Sequence, residues 1–351
     1  MYIEGVFAAI TTPFYADESV YFRKVEANVA RYSRSLLAGM VVLGSTGEAV
    51  ELTDAEAREV LQVAADAASD EKVLIAGVGR ESVKATVELA ESAAKARYDA
   101  VLVKAPTYYA QALTDAAVVH YFRSVADRSP LPVLLYNVPK FVPYRFSAEV
   151  VRELAQHKNI IGLKDSTGDV EHLKALIEAT KDAPRRTVLV TAVFEPVTGR
   201  MLTPKTEAEG GFVPVGELIG GVAVATAPPA AQLKTRTKEV GFQILTGSTG
   251  TLLEGLEAGA AGAVLAFAAC APQACQEVYF AWKDHDLALA KEKQQRIAGP
   301  NQRIASELGI SGIKYACDFN GYYGGKARLP LLPLNAETKL EIEGLLKGIR
   351  N

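Results

Sequence analysis

Short apolar runs alternate along this chain with stretches whose apolar residues return every third or fourth position. This alternation is the pattern of repeated strand–helix units on a parallel sheet. Gly5 to Ile10 reads as the first strand, ending in Thr11-Thr12-Pro13, with Phe22 to Leu37 as the first helix. Gly39 to Leu43 reads as the second strand and opens into Gly44-Ser45-Thr46-Gly47-Glu48. The helix after it starts at a capping box, Thr53 with Glu56. Val73 to Val78 is followed by the helix Ser82 to Ala96, and Ala100 to Lys104 by the helix Asp115 to Asp127. Pro132 to Tyr136 is followed by the helix Ser147 to Gln156. The sixth run, Asn159 to Leu163, is apolar and rich in branched residues, as a fully buried strand requires. Asp165 to Asp169 reads as a turn, with Asp169 placed to cap the helix Val170 to Lys181.

The rhythm then breaks. A long segment at about 184–240 separates this helix from the seventh strand, Phe242 to Gly247. Much of it has extended character: Thr187 to Phe194 and Arg200 to Thr203 read as a hairpin about Pro196-Val197-Thr198-Gly199. Leu218 to Thr226 is another strand-like run, and Pro228-Pro229 punctuates it. A helix from Thr251 to Ala258, the eighth strand Ala263 to Phe267 and the helix Pro272 to Lys283 complete the series. Eight such units predict an α/β chain of the (β/α)8 class, a TIM barrel over 1–285 interrupted by a β-rich insertion before strand seven. Asp286 to Leu308 and Ala336 to Ile349 read as helices of a C-terminal appendage, 286–351. In this fold the strand carboxyl ends build the active site, whereas helix-to-strand connections lie on the opposite face. The insertion therefore belongs away from the chemistry, where regulation, assembly or stability suits it.

Composition narrows the class. The 351 residues carry a formal charge of −3 with the signs interspersed, which argues against a nucleic-acid or membrane surface. Met1-Tyr2-Ile3-Glu4-Gly5 lacks the regions of a signal peptide, and no apolar run is long enough to span a bilayer. The expectation is a soluble, cytoplasmic protein. Cys270, Cys275 and Cys317 have no metal spacing; the first two read as small apolar residues of one helix. His120, His157, His172 and His285 are scattered along predicted helices as half-exposed surface residues, and no carboxylate–histidine cluster has metal-ligand spacing. No Gly-x-Gly-x-x-Gly follows a strand, so neither a metal nor a dinucleotide cofactor is called for.

Lys164 follows the sixth strand directly, at its carboxyl end. A lysine there is costly unless it is neutral, paired or used in chemistry. Desolvation disfavours a charged amine, and the freed lone pair attacks carbonyls to form a Schiff base. The plain alternative is a lysine that reaches past the rim into water, and Lys104, at the end of another strand, is the rival amine. By barrel geometry Tyr136, the Ser45 to Glu48 loop, Tyr108 and Tyr109 point to the same mouth. Gly44-Ser45-Thr46-Gly47 offers two hydroxyls and backbone N–H groups, a nest suited to a carboxylate, or else an ordinary glycine-rich turn. Tyr136 passes protons if hydroxyl neighbours relay them, or is an aromatic rim residue. Gly247-Ser248-Thr249-Gly250 reads as a further loop near the mouth.

Gly44-Ser45-Thr46-Gly47-Glu48, Tyr136-Asn137-Val138-Pro139 and Gly162-Leu163-Lys164-Asp165 occur in order on strands two, five and six. Together they resemble the dihydrodipicolinate synthase / N-acetylneuraminate lyase family of class I, pyruvate-dependent aldolases, over the whole chain apart from the insertion. The resemblance implies that Lys164 forms the Schiff base with pyruvate and that Tyr136 is the general acid/base. It implies that Ser45 and Thr46 hold the pyruvate carboxylate, Thr46 helping to relay protons, and that Gly247 and Val264 line the pyruvate pocket. Tyr109 resembles a tyrosine that reaches across a dimer interface, although Thr107 shifts the register and leaves Tyr108 open. The implied partners are pyruvate and an aldehyde, with a homo-oligomer, tetramer or dimer, as the assembly.

Two departures bear on substrate. Family members that make dihydrodipicolinate share an arginine shortly after Tyr-Asn-Val-Pro; Phe141 stands there in this chain, with Lys140 beside it and Arg145 further on. Phe319 to Pro330, and Pro106-Thr107-Tyr108-Tyr109, are similar to 4-hydroxy-2-oxoglutarate aldolases. The expectation is an aldolase that cleaves or makes a 2-keto acid such as 4-hydroxy-2-oxoglutarate or a 2-keto-3-deoxy sugar acid, with dihydrodipicolinate synthase as the alternative. A non-catalytic barrel that binds keto acids, and a phosphate-binding barrel isomerase using Gly247 to Gly250, are the readings from other classes.

Overall fold

The computed structural model describes residues 1–193, 195–203 and 233–349. Its strands are β1 (Gly5–Ala9), β2 (Gly39–Val42), β3 (Val73–Gly77), β4 (Ala100–Lys104) and β5 (Val133–Asn137), then β6 (Ile160–Asp165), β7 (Arg186–Thr191), β8 (Thr235–Val240), β9 (Gln243–Thr246) and β10 (Gly262–Leu265). Eight of them close into a barrel in the order β1-β10-β9-β6-β5-β4-β3-β2, each pair of neighbours parallel. This is the (β/α)8 TIM barrel. Barrel interior and surrounding helices cover both faces of its strands, so their residues are buried almost without exception. Such strands read as continuous apolar runs, which is why they were legible.

The helices begin where side chains can accept the free N–H groups of a first turn. Thr53 and Glu56 form the capping box before Asp54–Ala67. Ser82, Thr114, Ser147 and Asp169 cap the next four helices, each contributing about 1 kcal/mol. The C-terminal helices share one apolar core with the barrel: Ile297, Ile313, Ala316, Cys317, Ile342 and Leu346 are all buried in it. Among the described residues no helix is long and apolar enough to cross a membrane.

Four expectations need correction. The helix over Asp286 to Leu308 is helix Leu287–Asn301 followed by a π-helical turn, Gln302–Glu307. Pro300 lies just before the change; its ring and missing N–H disturb the local ladder, and the widened turn absorbs this. A further helix, Gly309–Phe319, stands where none was read. Its glycines weaken the sequence signal, yet Gly312 is required, because a Cβ there would lie 2.5 Å from the Ile304 carbonyl oxygen. Cys270 precedes helix Pro272–Lys283 and, of the two, only Cys275 lies on it; all three cysteines are buried and none forms a disulfide among the described residues. Of the histidines, His157 and His285 stand in turns.

The insertion also differs in its pairing. β7 pairs antiparallel with β8, from Arg186 opposite Val240 to Thr191 opposite Thr235, and not with Arg200 to Thr203. Thr198 accepts a hydrogen bond from the Met201 N–H and starts the helical turn Gly199–Leu202. Arg200 is fully buried there, donating to the Arg97 and Lys72 carbonyls and paired with Asp99 at 3.3 Å. Those partners precede β3 and β4, so this part of the insertion is anchored on the amino-terminal face of the barrel. Leu218 to Thr226 and Pro228-Pro229 lie outside the described residues.

Candidate active site

Neighbouring strands set the residues of the mouth level with one another. Lys104 of β4 is in register with Tyr136 of β5, and Tyr136 with Lys164 of β6. Lys164 is 4 % exposed, and its Nζ lies 4.3 Å from the centroid of the Tyr136 ring. Among the described residues Lys164 has no carboxylate partner. The rival Lys104 differs in this respect, with Nζ 3.4 Å from Glu81. Burial opposes ionisation of Glu81, but the Tyr108 and Thr107 amides, the Thr107 hydroxyl and Lys104 together hold its carboxyl down at about 2. Lys104 is therefore matched by a carboxylate that stays ionised, whereas Lys164 meets an aromatic face and a phenol.

The Tyr136 hydroxyl lies 3.4 Å from the Ser45 Oγ. Burial alone would raise the pKa of this phenol. The Lys164 charge and hydrogen bonds from Ser45, Lys164 and Ser166 outweigh it and hold the value below the ordinary one for tyrosine. Ser45 and Thr46 sit on a single 3₁₀ turn, Ser45–Gly47, between Gly44 and Glu48. The Gly47 and Glu48 amides close that turn on the Gly44 and Ser45 carbonyls. The Gly47 and Glu48 amides are thereby spent within the turn. Two residues bracketing the turn, Leu43 (φ 60°) and Glu48 (φ 55°), adopt left-handed backbone. For a residue with a Cβ this costs roughly 1–2 kcal/mol, so neighbouring contacts must impose it.

Gly247 follows β9 and donates its N–H to the Asp165 carbonyl oxygen at 2.6 Å. A Cβ on Gly247 would overlap the Ser166 Oγ at 2.0 Å, so only glycine allows this approach. Val264 is buried in β10; Lys164 pairs with Leu245, and Leu245 with Gly262, so Val264 stands farther toward the carboxyl end of the wall. Tyr108 and Tyr109 are 81 % and 75 % exposed and stack edge to face on each other, 5.1 Å between centroids. Within one chain neither joins the Lys164–Tyr136–Ser45 cluster.

Residues one position along the same strands form a polar layer that the sequence reading passed over. Alternation turns Asn137 and Asp165 away from the barrel interior, toward the helices. The Asn137 Nδ2 donates to Asp165 Oδ1 and the Thr167 hydroxyl to Oδ2, both at 2.6 Å. His172 Nε2 is 3.3 Å from the Asn137 amide, and Asn137 Oδ1 accepts the Phe146 N–H. Burial raises the Asp165 carboxyl and lowers the His172 imidazole, against their mutual attraction. His172, half-buried on its helix as read from the sequence, is thus also part of this layer. The layer pins the ends of β5 and β6 to each other. The dipeptides Tyr136-Asn137 and Lys164-Asp165 were the available signal.

Phe141 is 54 % exposed. The Lys140 ammonium donates to the Ser306 carbonyl and lies 5.7 Å from the centroid of the Phe141 ring, whereas Arg145 pairs with Asp169 at 2.8 Å.

A family model described as the dihydrodipicolinate synthetase family matches residues 2–189 and 212–349. The chain is 28% identical over 342 residues to a 4-hydroxy-tetrahydrodipicolinate synthase of Methanothrix thermoacetophila, covering 97% of this chain and 95% of the relative. It is 26% identical over 346 residues to the protein of that name from Methanococcoides burtonii, covering 99% and 98%. Among solved structures it matches a chloride-inhibited dihydrodipicolinate synthase of Acinetobacter baumannii complexed with pyruvate, with TM-score 0.78, 26% identity and coverage of 99% and 100%. It shares the fold of a prophage protein of Escherichia coli K12 in complex with pyruvate, at TM-score 0.77, 24% identity and coverage of 99% and 98%. These relatives bear the synthase name; the similarity of Phe319 to Pro330 to 4-hydroxy-2-oxoglutarate aldolases stands on the sequence alone.

Proposed function

Because the chain belongs to the dihydrodipicolinate synthetase family, whose members are lyases and synthases, we propose that it is a pyruvate-dependent class I aldolase acting through Lys164. The observation that carries the reading is the buried amine of Lys164 against the Tyr136 ring, with Ser45 within reach of the phenol. The unprotonated amine adds to the ketone carbon of a 2-keto acid, and loss of water leaves an iminium. In cleavage, a base takes the proton of the C4 hydroxyl. The C3–C4 bond then breaks, its electron pair enters the iminium to give an enamine, and the aldehyde departs. Protonation at C3 and hydrolysis release pyruvate and restore the amine. Tyr136 moves these protons, and its lowered phenol makes it a better relay near neutral pH than an ordinary tyrosine. Ser45 and Thr46 hold the pyruvate carboxylate, Thr46 passing protons onward, while Gly247 and Val264 line the pocket. No cofactor or metal is needed for these steps. The exposed Tyr109, or Tyr108, completes the relay of a neighbouring subunit in a homo-oligomer.

Phenylalanine in place of an arginine at position 141, with the Lys140 ammonium engaged by the Ser306 carbonyl, favours an aldol substrate without a carboxylate aimed at that position, such as 4-hydroxy-2-oxoglutarate or a 2-keto-3-deoxy sugar acid. The relatives named 4-hydroxy-tetrahydrodipicolinate synthase favour the second reading, condensation of pyruvate with aspartate semialdehyde. A steady-state panel separates the two. The aldolase reading expects kcat/KM for the best aldol substrate at least about tenfold above that for aspartate semialdehyde, since an unpaired charge costs roughly 1–3 kcal/mol. Equal or higher efficiency with aspartate semialdehyde promotes the synthase.

A further inference from the structure

The turn that carries Ser45 and Thr46 is held from a distant part of the chain. Lys314, on the helix Gly309–Phe319, is fully buried. Its ammonium donates to Glu48 Oε1 at 2.5 Å and to the Thr12 carbonyl oxygen at 2.8 Å, and lies 4.3 Å from the centroid of the Phe14 ring. The other oxygen of Glu48, Oε2, accepts the Arg328 N–H at 2.8 Å. The Arg328 guanidinium reaches the Glu51 carbonyl and the Glu56 carboxylate. Thr12 closes the ring by donating its hydroxyl to the Gly47 carbonyl at 2.7 Å. Three of these contacts, from Lys314, Arg328 and Thr12, end on Glu48 or Gly47, the residues that close the Ser45–Gly47 turn.

The pair is not a default of surface chemistry. A buried ion pair is weak evidence for stability, since desolvation offsets much of the attraction, so its use must be sought in what it fixes. Here it fixes Glu48, whose backbone adopts the left-handed conformation unfavourable to a glutamate and ends the turn. If the side chain were free, the residue would relax toward ordinary dihedrals, and the Ser45 and Thr46 donors would rotate with it. Resting on the aldolase reading above, we infer that Lys314 is a positioning residue for the substrate carboxylate. Through Glu48 it holds the Ser45–Thr46 donors in the geometry that grips pyruvate and keeps Ser45 beside Tyr136. The C-terminal helices are thereby part of the active-site scaffold. Burial holds the Lys314 amine below its ordinary value, and the charge and hydrogen bond of Glu48 oppose the shift.

The test is the concentration dependence of pyruvate trapping by borohydride in the full-length protein, for wild type, Lys314→Met and Glu48→Gln. Arg200→Met serves as the control, since it breaks a buried ion pair on the opposite face. The half-saturating pyruvate concentration is expected to rise about ten- to a hundredfold in Lys314→Met, while the trapping rate at saturation changes far less. Glu48→Gln, which keeps the side-chain shape, is expected to show a smaller rise in the same direction and carries the test if Lys314→Met does not fold. Arg200→Met is expected to lower the melting temperature and leave half-saturation unchanged. Unchanged half-saturation in both turn variants, with wild type trapping normally, overturns the inference. The same is true if Arg200→Met weakens pyruvate as much as they do, because the effect is then general destabilisation. Wild type that traps no pyruvate at all overturns the Schiff-base reading itself.

Discussion

At the scale of single residues, the site depends on which polar groups have partners and which do not. Lys164 meets a ring and a phenol, and the phenol of Tyr136 answers to that charge. Removing the phenol while keeping the ring isolates its part. Tyr136→Phe is expected to lower kcat by about 10²–10⁴, the usual span of a lost general acid or base, with pyruvate half-saturation changed by less than about threefold. Stopped-flow or steady-state turnover checks it; a near-normal kcat contradicts the relay. Phe141 makes the converse case. Arginine's planar fork supplies two parallel hydrogen bonds to a carboxylate, and phenylalanine supplies none. Phe141→Arg is therefore expected to raise kcat/KM for aspartate semialdehyde by about tenfold, narrowing its deficit against aldol substrates. An unchanged ratio shows that Phe141 does not face the second substrate.

At the scale of elements, the β2 loop gathers carboxylates. Glu51 is raised to about 7 by burial and then by the charge and hydrogen bond of Glu48, against the opposing pull of Lys314 and Arg328. The unfolded chain releases this proton near 4.5, so the folded protein holds it over the window from there to about 7. Stability from this source is complete below the lower value and is lost as pH rises through the upper one. Relative to wild type, Glu51→Gln should gain stability between pH 5 and pH 8, on the order of 1 kcal/mol after allowance for solvent screening of a partly exposed group. Melting temperatures of both proteins at the two pH values measure it, and a difference independent of pH contradicts it. What was legible at this scale follows from local chemistry. Buried strands announce themselves as apolar runs, and Thr53, Ser147 and Asp169 mark helix starts without tertiary help. Lys164, Tyr136 and Ser45 stand out as candidates in the sequence because strand ends and the loops after them are where such residues are costly or useful. Glu48 and Lys314 stand 266 positions apart, on a left-handed residue and on a helix containing glycines, so no local pattern joins them. β7 was given the wrong partner for a related reason: β8, Thr-Arg-Thr-Lys-Glu-Val, is largely exposed and polar, and the buried charge of Arg200 turns the nearer candidate into a helical cap.

At the scale of the molecule, the barrel separates two tasks. Its carboxyl-terminal end carries the amine, the phenol and the hydroxyl turn, whereas Thr198, Gly199 and Arg200 fasten the insertion to the loops before β3 and β4 at the other end. Replacing Arg185 to Thr237 by a short glycine-containing loop is therefore expected to leave pyruvate half-saturation unchanged while lowering thermal stability or altering assembly. Circular dichroism and sedimentation read the second effect. Loss of pyruvate binding in a trimmed protein that stays folded shows that the segment reaches the site. The claim on which all of this rests is that Lys164 is the Schiff-base residue. It is tested most directly by reducing the full-length protein with borohydride in the presence of pyruvate and mapping the adduct by mass spectrometry. The account predicts one pyruvate-dependent adduct, on Lys164, absent from Lys164→Ala; an adduct on Lys104, or none that depends on pyruvate, contradicts it.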